Sequence, residues 1–317
     1  MTTRTRQHQR EHGYMLVMTL LLVALAGTAL AAVARGSLRE AVTATRALDD
    51  LQRRWAVRSC QTTLLVRAED ILLDAEAQRI GPVPALDVEL RLNGEIYHVV
   101  LADEQAKANV NTIHTRLGDE QTRYAVTELL AASHAQGRAL LRPRQTGHRQ
   151  RDADDAERTL ISSVLDQQPA FGCFAQILSP PPSATDPMRI GDWLAGRGDF
   201  RAAASRHLTC WGDGRVQIRR ASRQVLQSVC LPLLDLGQVQ AILDIRSTRP
   251  GLSVAQALEE LELKPEQRSA LMELLTTESR CHSLWVSAQA DQRRWHHLRV
   301  RERLAGSRFA EYGLTWQ

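Results

Sequence analysis

The sequence predicts an α+β fold: a long N-terminal transmembrane and amphipathic helix packed on an antiparallel sheet, with a large helical insertion between the strands. Three observations predict it. Tyr14 to Ala34 carry no charge, and Ser37 to Gln78 contain no Gly or Pro and keep apolar residues at helical spacing. Alternating apolar runs then appear at Leu86–Leu101 and again from His282 onward, with helical segments between them.

Residues 14–34 would rise roughly 30 Å as a helix, enough to cross a bilayer core. The leader before them (1–13) carries Arg4, Arg6 and Arg10 against Glu11, so the N-terminus is expected on the cytoplasmic side of a single span. Three readings compete for this segment. It can be a plain signal anchor, or a secretory signal cut near Ala29-Leu30-Ala31, although its apolar run is long for that. The third is a prepilin-type signal, in which a short basic leader ends at Gly13 and an apolar helix starts at Tyr14-Met15-Leu16.

The helical pattern continues through residues 35–80. Leu48, Leu51, Trp55, Cys60, Leu64, Leu65, Ala68, Ile71, Leu72 and Ala75 form a stripe near the 3.6 period, and Gly81-Pro82 stop it. Strict heptads are not kept, which disfavours a coiled coil. The expectation is one rod whose first half lies in lipid and whose second half packs on a domain.

A sheet begins in residues 81–111. Leu86 to Leu92 alternate, Asn93-Gly94 is a strong two-residue turn signal, and Glu95 to Leu101 return. That turn pairs Leu90 with Tyr97, Val88 with Val99 and Leu86 with Leu101. Leu86, Val88, Leu90, Leu92, Tyr97, Val99 and Leu101 then share one face, ready to lie on the helix stripe, while Asp87, Glu89 and Arg91 face water.

Val100 to Asn111 resembles the strand-to-loop signature of the K-type minor pseudopilins of type II secretion systems. There a strand runs into an Asp-Glu pair, then Gly-Lys-Leu/Ile-Asn-Leu-Asn. Asp103, Glu104, Lys107, Asn109 and Asn111 match, and Ala106 departs from the family's Gly. The residues by themselves describe a polar turn, since Asp and Asn side chains bond nearby backbone. A paired-carboxylate catalytic site is disfavoured, because neighbours on an extended strand point to opposite faces.

Residues 112–206 read as helices with polar connections: Tyr124–His134 an amphipathic helix, Arg142–Asp155 a charged loop, Leu160–Leu165 a helix, Ser179–Ser183 a Pro-rich spacer, Ile190–Leu194 a short helix. The K-type family is similar here also, in that it carries a helical domain inserted into a pilin-like sheet. His207 to Ala221 reads as a strand hairpin about Asp213-Gly214 and resembles the family's Leu-Thr-Val-Tyr-Gly-x-Gly-Lys-Ile-Asn-Ile-Asn-Thr-Ala. Leu208, Thr209, Gly212, Gly214, Ile218 and Ala221 agree, whereas Gln217, Arg219 and Arg220 replace Asn, Asn and Thr.

Four short helices are expected in residues 222–280: Ser222–Val229, Leu236–Ser247, Ser253–Leu261 and Lys264–Thr276, with caps at Ser222 and Ser253 and Pro265 in a first turn. They raise a rival reading, a membrane-anchored nucleic-acid receptor built from helix-hairpin-helix-like units, with Arg215, Arg219, Arg220 and Arg223 on phosphates. The Gly-rich hairpin of such units is missing, so solvated surface arginines are favoured and nucleic acid is not. The last region, 281–317, reads as strands at His282–Ala288, Trp295–Leu304 and Phe309–Trp316. His296-His297 suggest a metal, but adjacent strand residues face apart and no third ligand is near, so exposed histidines are expected.

Composition adds bounds. The chain has 317 residues and net charge +4, and of its 40 basic residues only Lys107 and Lys264 are lysine, a bias that argues against inferring a nucleic-acid partner from charge. Cys60, Cys173, Cys210, Cys230 and Cys281 form no C-x-x-C pair. Buried thiols are expected, with a pairing such as Cys210–Cys230 left open. No hydrolase, P-loop, zincin or dinucleotide motif appears, which points away from an enzyme.

The resemblance therefore implies a minor pseudopilin with no catalytic residues and no cofactor of its own. It implies cleavage by prepilin peptidase after Gly13, methylation of the Tyr14 amine, and a periplasmic head on an inner-membrane anchor. Its implied partners are other minor pseudopilins, the major pseudopilin and the lipid. It also implies calcium, with no ligand set readable here. Met18 stands at the fifth mature position, where most pilin-like subunits carry glutamate and K-type members do not. A minor pilin of a type IV pilus differs mainly in the assembly it would join.

Overall fold

The computed structural model describes residues 4–79, 81–92, 95–144, 169–184, 187–196, 199–231, 233–249, 251–290, 293–304 and 308–316. The chain divides into two compact units, Met1–Arg58 and Ser59–Gln317. The fold is α+β.

The first unit is helical. Helix α1 spans Arg4–Cys60 and runs without interruption through Gly13 and Tyr14. Among the described residues one helix is long and apolar enough to cross a membrane, starting at Tyr14. Its thread of threonines is accommodated because the Thr19, Thr28, Thr43 and Thr45 hydroxyls donate to carbonyls three or four residues back. Leu48, Leu51 and Trp55 are more than half exposed, so the expected stripe is not buried along its whole length.

The second unit opens with a π-turn at Gln61–Leu65 and helix α2, Ala68–Arg79. The sheet is antiparallel and five-stranded, in the order β1 (Ala85–Leu92), β2 (Glu95–Asp103), β9 (Cys281–Ala290), β10 (Arg293–Arg303), β11 (Phe309–Trp316). The β1–β2 register pairs Leu86 with Leu101, Val88 with Val99 and Leu90 with Tyr97, the register that a two-residue turn dictates. The turn itself, Asn93-Gly94, lies outside the described residues, as do the Leu160–Leu165 segment and most of Arg142–Asp155.

Alternation gives the sheet two different faces. Tyr97, Val99, Leu101, Leu284, Val286, Ala288 and Trp295 are buried on one, where the π-turn and α2 pack with Leu65, Ala68 and Leu72. Tyr97 and Trp295 meet edge to face at 5.8 Å on this side. The other face was expected in water at β1, and Asp87, Glu89 and Arg91 are indeed exposed. Further along it is buried: Val100, Ala102, Trp285, Leu298 and Val300 belong to one continuous core with the helical residues. The inserted helices and the sheet thus share a core rather than forming separate domains.

That helical part contains α3 (Val110–Ala132), α4 (Phe174–Ile177), α5 (Pro187–Ala195), α6 (Arg223–Cys230), α7 (Leu236–Thr248), α8 (Val254–Glu259) and α9 (Pro265–Leu274). Helix α3 is broken at Gly118, whose φ of 75° and ψ of −178° are not helical. Ser222, Asp235 and Ser253 cap α6, α7 and α8, the last two with reciprocal bonds from Gln238 and Gln256.

One expectation fails. The two strands around Asp213-Gly214 do not form a hairpin with each other. β6 (Leu208–Thr209) pairs in parallel with β3 (Ala108–Asn109), and β7 (Val216–Gln217) pairs in parallel with β8 (Leu275–Thr276), while β4 (Arg138–Ala139) and β5 (Leu178–Ser179) form a separate antiparallel pair. Gly212 and Gly214 both have positive φ, 89° and 82°, which turns the chain so that its two arms part toward different neighbours.

Candidate functional site

The two sequence signatures, about one hundred residues apart, are brought side by side. Strand pairing sets Ala108 opposite Leu208 and Asn109 opposite Thr209. The side chains then stitch the segments together. Asn109 donates to Trp211 O at 2.9 Å, Asn111 to Cys210 O at 3.1 Å, and Thr112 to Gly214 O at 3.1 Å. Gln105 donates to Asp213 at 2.7 Å. Asn109 also caps α3, accepting from the Asn111 and Thr112 amides. Leu208, Ile218 and Ala221 are buried beside this seam, and Ala106, in the family's Gly position, is buried too.

The turn reading of Asp103–Asn111 describes its hydrogen bonds but not its burial. Residues 101–110 are all buried, two carboxylates and a lysine included. Each charge has found a partner. Lys107 bonds Glu104, both almost fully buried, and its ammonium lies 5.4 Å from the Phe200 ring centroid. Ser283 also donates to Glu104 Oε1, while Glu104 Oε2 is buried without a hydrogen-bond partner among the described residues. Asp103 points the other way and accepts from the Gln105 amide and the Ser279 hydroxyl. The neighbouring carboxylates serve separate partners and do not form a dyad.

The residue that organises this region is Arg220, for which the sequence predicts a solvated surface position or, on the rival reading, a phosphate contact. It is 2% exposed. Its guanidinium reaches Glu76 from Nε at 2.7 Å and from Nη2 at 3.3 Å, and its Nη1 reaches Glu69 at 2.7 Å and Asp103 at 3.0 Å. Glu69 and Glu76 stand two turns apart on α2, one on each side of the fully buried Leu72, which aims both at the same fork. Burial alone would lower the Arg220 pKa, but bonds to Glu76 and Glu69 and the charge of Asp103 raise it above its ordinary value. Burial would likewise raise Glu69, yet bonds from His282 and Arg220 bring it down to about 2.

The substituted Gln217 sets this arginine up: its Oε1 accepts from the Arg219 and Arg220 amides and its Nε2 donates to Thr277 O. Arg215 is drawn inward as well, donating to Met272 O and Leu275 O. The nucleic-acid reading thereby loses Arg220 to the interior, and the half-buried Arg215 is committed to two carbonyls. No sequence signal marked Arg220, because its carboxylates come from 117 to 151 residues away.

His296 also departs from expectation. It is 2% exposed, not a surface histidine. Ser287 Oγ lies 2.7 Å from its Nδ1, and Asp192 Oδ1 lies 3.2 Å from its Nε2. Arg294 bonds the other Asp192 oxygen at 2.8 Å. Asp192 is on α5, whose Gly191 leaves the space that the imidazole fills: a Cβ there would sit 2.3 Å from His296 Cδ2. Helix α5 is thereby fastened to β10. His297, on the opposite face, lies against Trp295 and Thr315. Among the described residues no group of three or more His, Cys, Asp or Glu is placed to hold a metal, and the buried carboxylates are committed to Arg220 and Lys107, so they do not fit a calcium site. The five cysteines are free, Cys173 half-buried and the others buried; burial pushes the Cys230 thiol up to about 12.

No family model and no curated protein matches the chain. One solved structure similar to it is the GspK-GspI-GspJ complex of the type 2 secretion system from enterotoxigenic Escherichia coli. It has 15% identity and a TM-score of 0.42, and covers 86% of this chain and 99% of that chain. Values this low do not establish a common fold. What the residues themselves establish is an N-terminal apolar helix, an antiparallel sheet and a buried ionic seam joining two distant motifs.

Proposed function

We propose that the protein is a minor pseudopilin of a type II secretion system, a structural subunit at the pseudopilus tip. The observation that carries the reading is the seam itself. Apart from the half-buried Gly212 of the turn, the matching residues of the two signatures are used in holding the segments together or buried beside their junction, which accounts for why both would be needed in one subunit. The exposed Leu48, Leu51 and Trp55 beyond the apolar span of α1 offer a helical surface on which partner pseudopilin helices can pack. Met18 within that span spares the subunit an acid in lipid that would need a neighbour's amine. The anchor would sit in the inner membrane with the second unit in the periplasm. Calcium has no role that the described residues support.

Processing by prepilin peptidase after Gly13 is part of this proposal. The bond to be cut lies within helix α1, so it must unwind locally, and glycine lowers that cost by roughly 1 kcal/mol relative to alanine. The test is intact-mass measurement of the protein co-expressed with a prepilin peptidase. The expected mature chain begins at Tyr14, with an N-methyl group where the amine is modified. A start at Met1 or Ala32 would sink the reading.

A further inference from the structure

A cleft of about 430 Å³ lies beside the ionic seam, lined by residues from α2, the start of β1, the Ala106-Lys107 turn and the segment 199–207. Its cations outnumber its anions. Lys107 is spent on Glu104, but Arg79, Arg201 and Arg206 form no ion pair among the described residues. The two carboxylates present, Asp87 and Asp199, are turned to backbone amides, those of Phe200 and Arg201. Arg206 Nη1 donates to the Arg201 carbonyl at 2.9 Å, which fixes its guanidinium beside the Arg201 backbone. Burial and then the Arg201 charge lower the Arg206 pKa, and the charge of Asp199 offsets only part of this. A planar fork of this kind suits carboxylates.

We infer that this cleft binds an acidic polypeptide segment of a partner, with Arg201, Arg206 and Arg79 receiving its carboxylates. Two features favour a polypeptide over a free oxyanion. Pro84, Ala85 and Phe200 give the cleft an apolar wall for side chains. Its lining also includes the start of β1, an edge strand along which an extended chain can run. The inference does not depend on which assembly the protein joins.

The test uses full-length protein in detergent and a fluorescein-labelled peptide of alternating Glu and Val, read by anisotropy. A control peptide carries Gln in place of Glu. Binding of the acidic peptide should weaken about tenfold in Arg201→Gln/Arg206→Gln, and should fall as salt rises, because exposed charges are screened. Arg79→Glu, at an exposed helix end, provides a second variant should the first fail to fold. Unchanged affinity in a folded variant would overturn the inference. So would equal binding of the Gln peptide, or displacement by equimolar inorganic phosphate.

Discussion

Arg220 Nη1 lies 3.0 Å from Asp103 Oδ2, with both side chains essentially excluded from solvent and 117 positions apart in the chain. This contact joins the end of β2 to the turn after β7, and through Glu69 and Glu76 it ties both to α2. Arg220→Met leaves three carboxylates facing one another at a buried site, and should cost about 3–5 kcal/mol in urea unfolding. Arg220→Lys should also destabilise, since a single ammonium cannot reproduce the fork.

The Lys107–Glu104 pair makes a sharper test because both partners are local. Lys107→Met and Glu104→Gln should each cost about 3–5 kcal/mol by stranding the other group. The double variant should recover most of that loss, since it removes both buried charges while Ser283 can still donate to the side-chain oxygen of residue 104. Additive losses in the double-mutant cycle would contradict the pairing.

Acid should weaken the fold in two stages. His207 has its pKa lowered to about 4 by burial first, then by Arg206 and Lys107. The unfolded chain therefore binds the proton more tightly, and stability falls as pH drops from 6.5 toward 4, with no further loss from this group below that. The full effect is roughly 3 kcal/mol. Glu69 is depressed to about 2, so its contribution is complete above 4.5 and is lost as pH falls through 2. His207→Gln should flatten the first stage and Glu69→Gln the second, measured as the urea midpoint against pH.

Gly214 has φ 82°, and a Cβ there would lie 2.1 Å from Thr112 Oγ1. Gly214→Ala should lower stability by at least about 1–2 kcal/mol through backbone strain. Adding Thr112→Ala should relieve the clash but also remove its hydrogen bond to Gly214 O, leaving a residual loss in the thermal melt.

What the sequence disclosed, and what it withheld, follows from the range of each interaction. The β1–β2 register was legible because a two-residue turn and a period of two leave one pairing that puts Leu90 beside Tyr97. The caps at Ser222 and Ser253 were legible for the same local reason. The β3–β6 and β7–β8 pairings were not, since strands of two residues carry no periodicity. Arg220 was hidden by its own commonness in an arginine-rich chain, and His296 by an aspartate on a helix that only the tertiary fold delivers. In the seam the polar residues of the motifs were visible, but their burial was not.

The central pairing of the sheet carries a temporal consequence. β2 finds its neighbour in β9, with Glu104 and Ser283 bonded across 179 residues. Until β9 has been synthesised, β2 has one bare edge and its seam charges have no shelter. Closing so long a loop is entropically slow. The nascent hairpin must wait, open and prone to wrong partners, for the arrival of the last strands. Maturation of the fold is thus timed by translation of the C-terminal region, whatever happens meanwhile at the anchor.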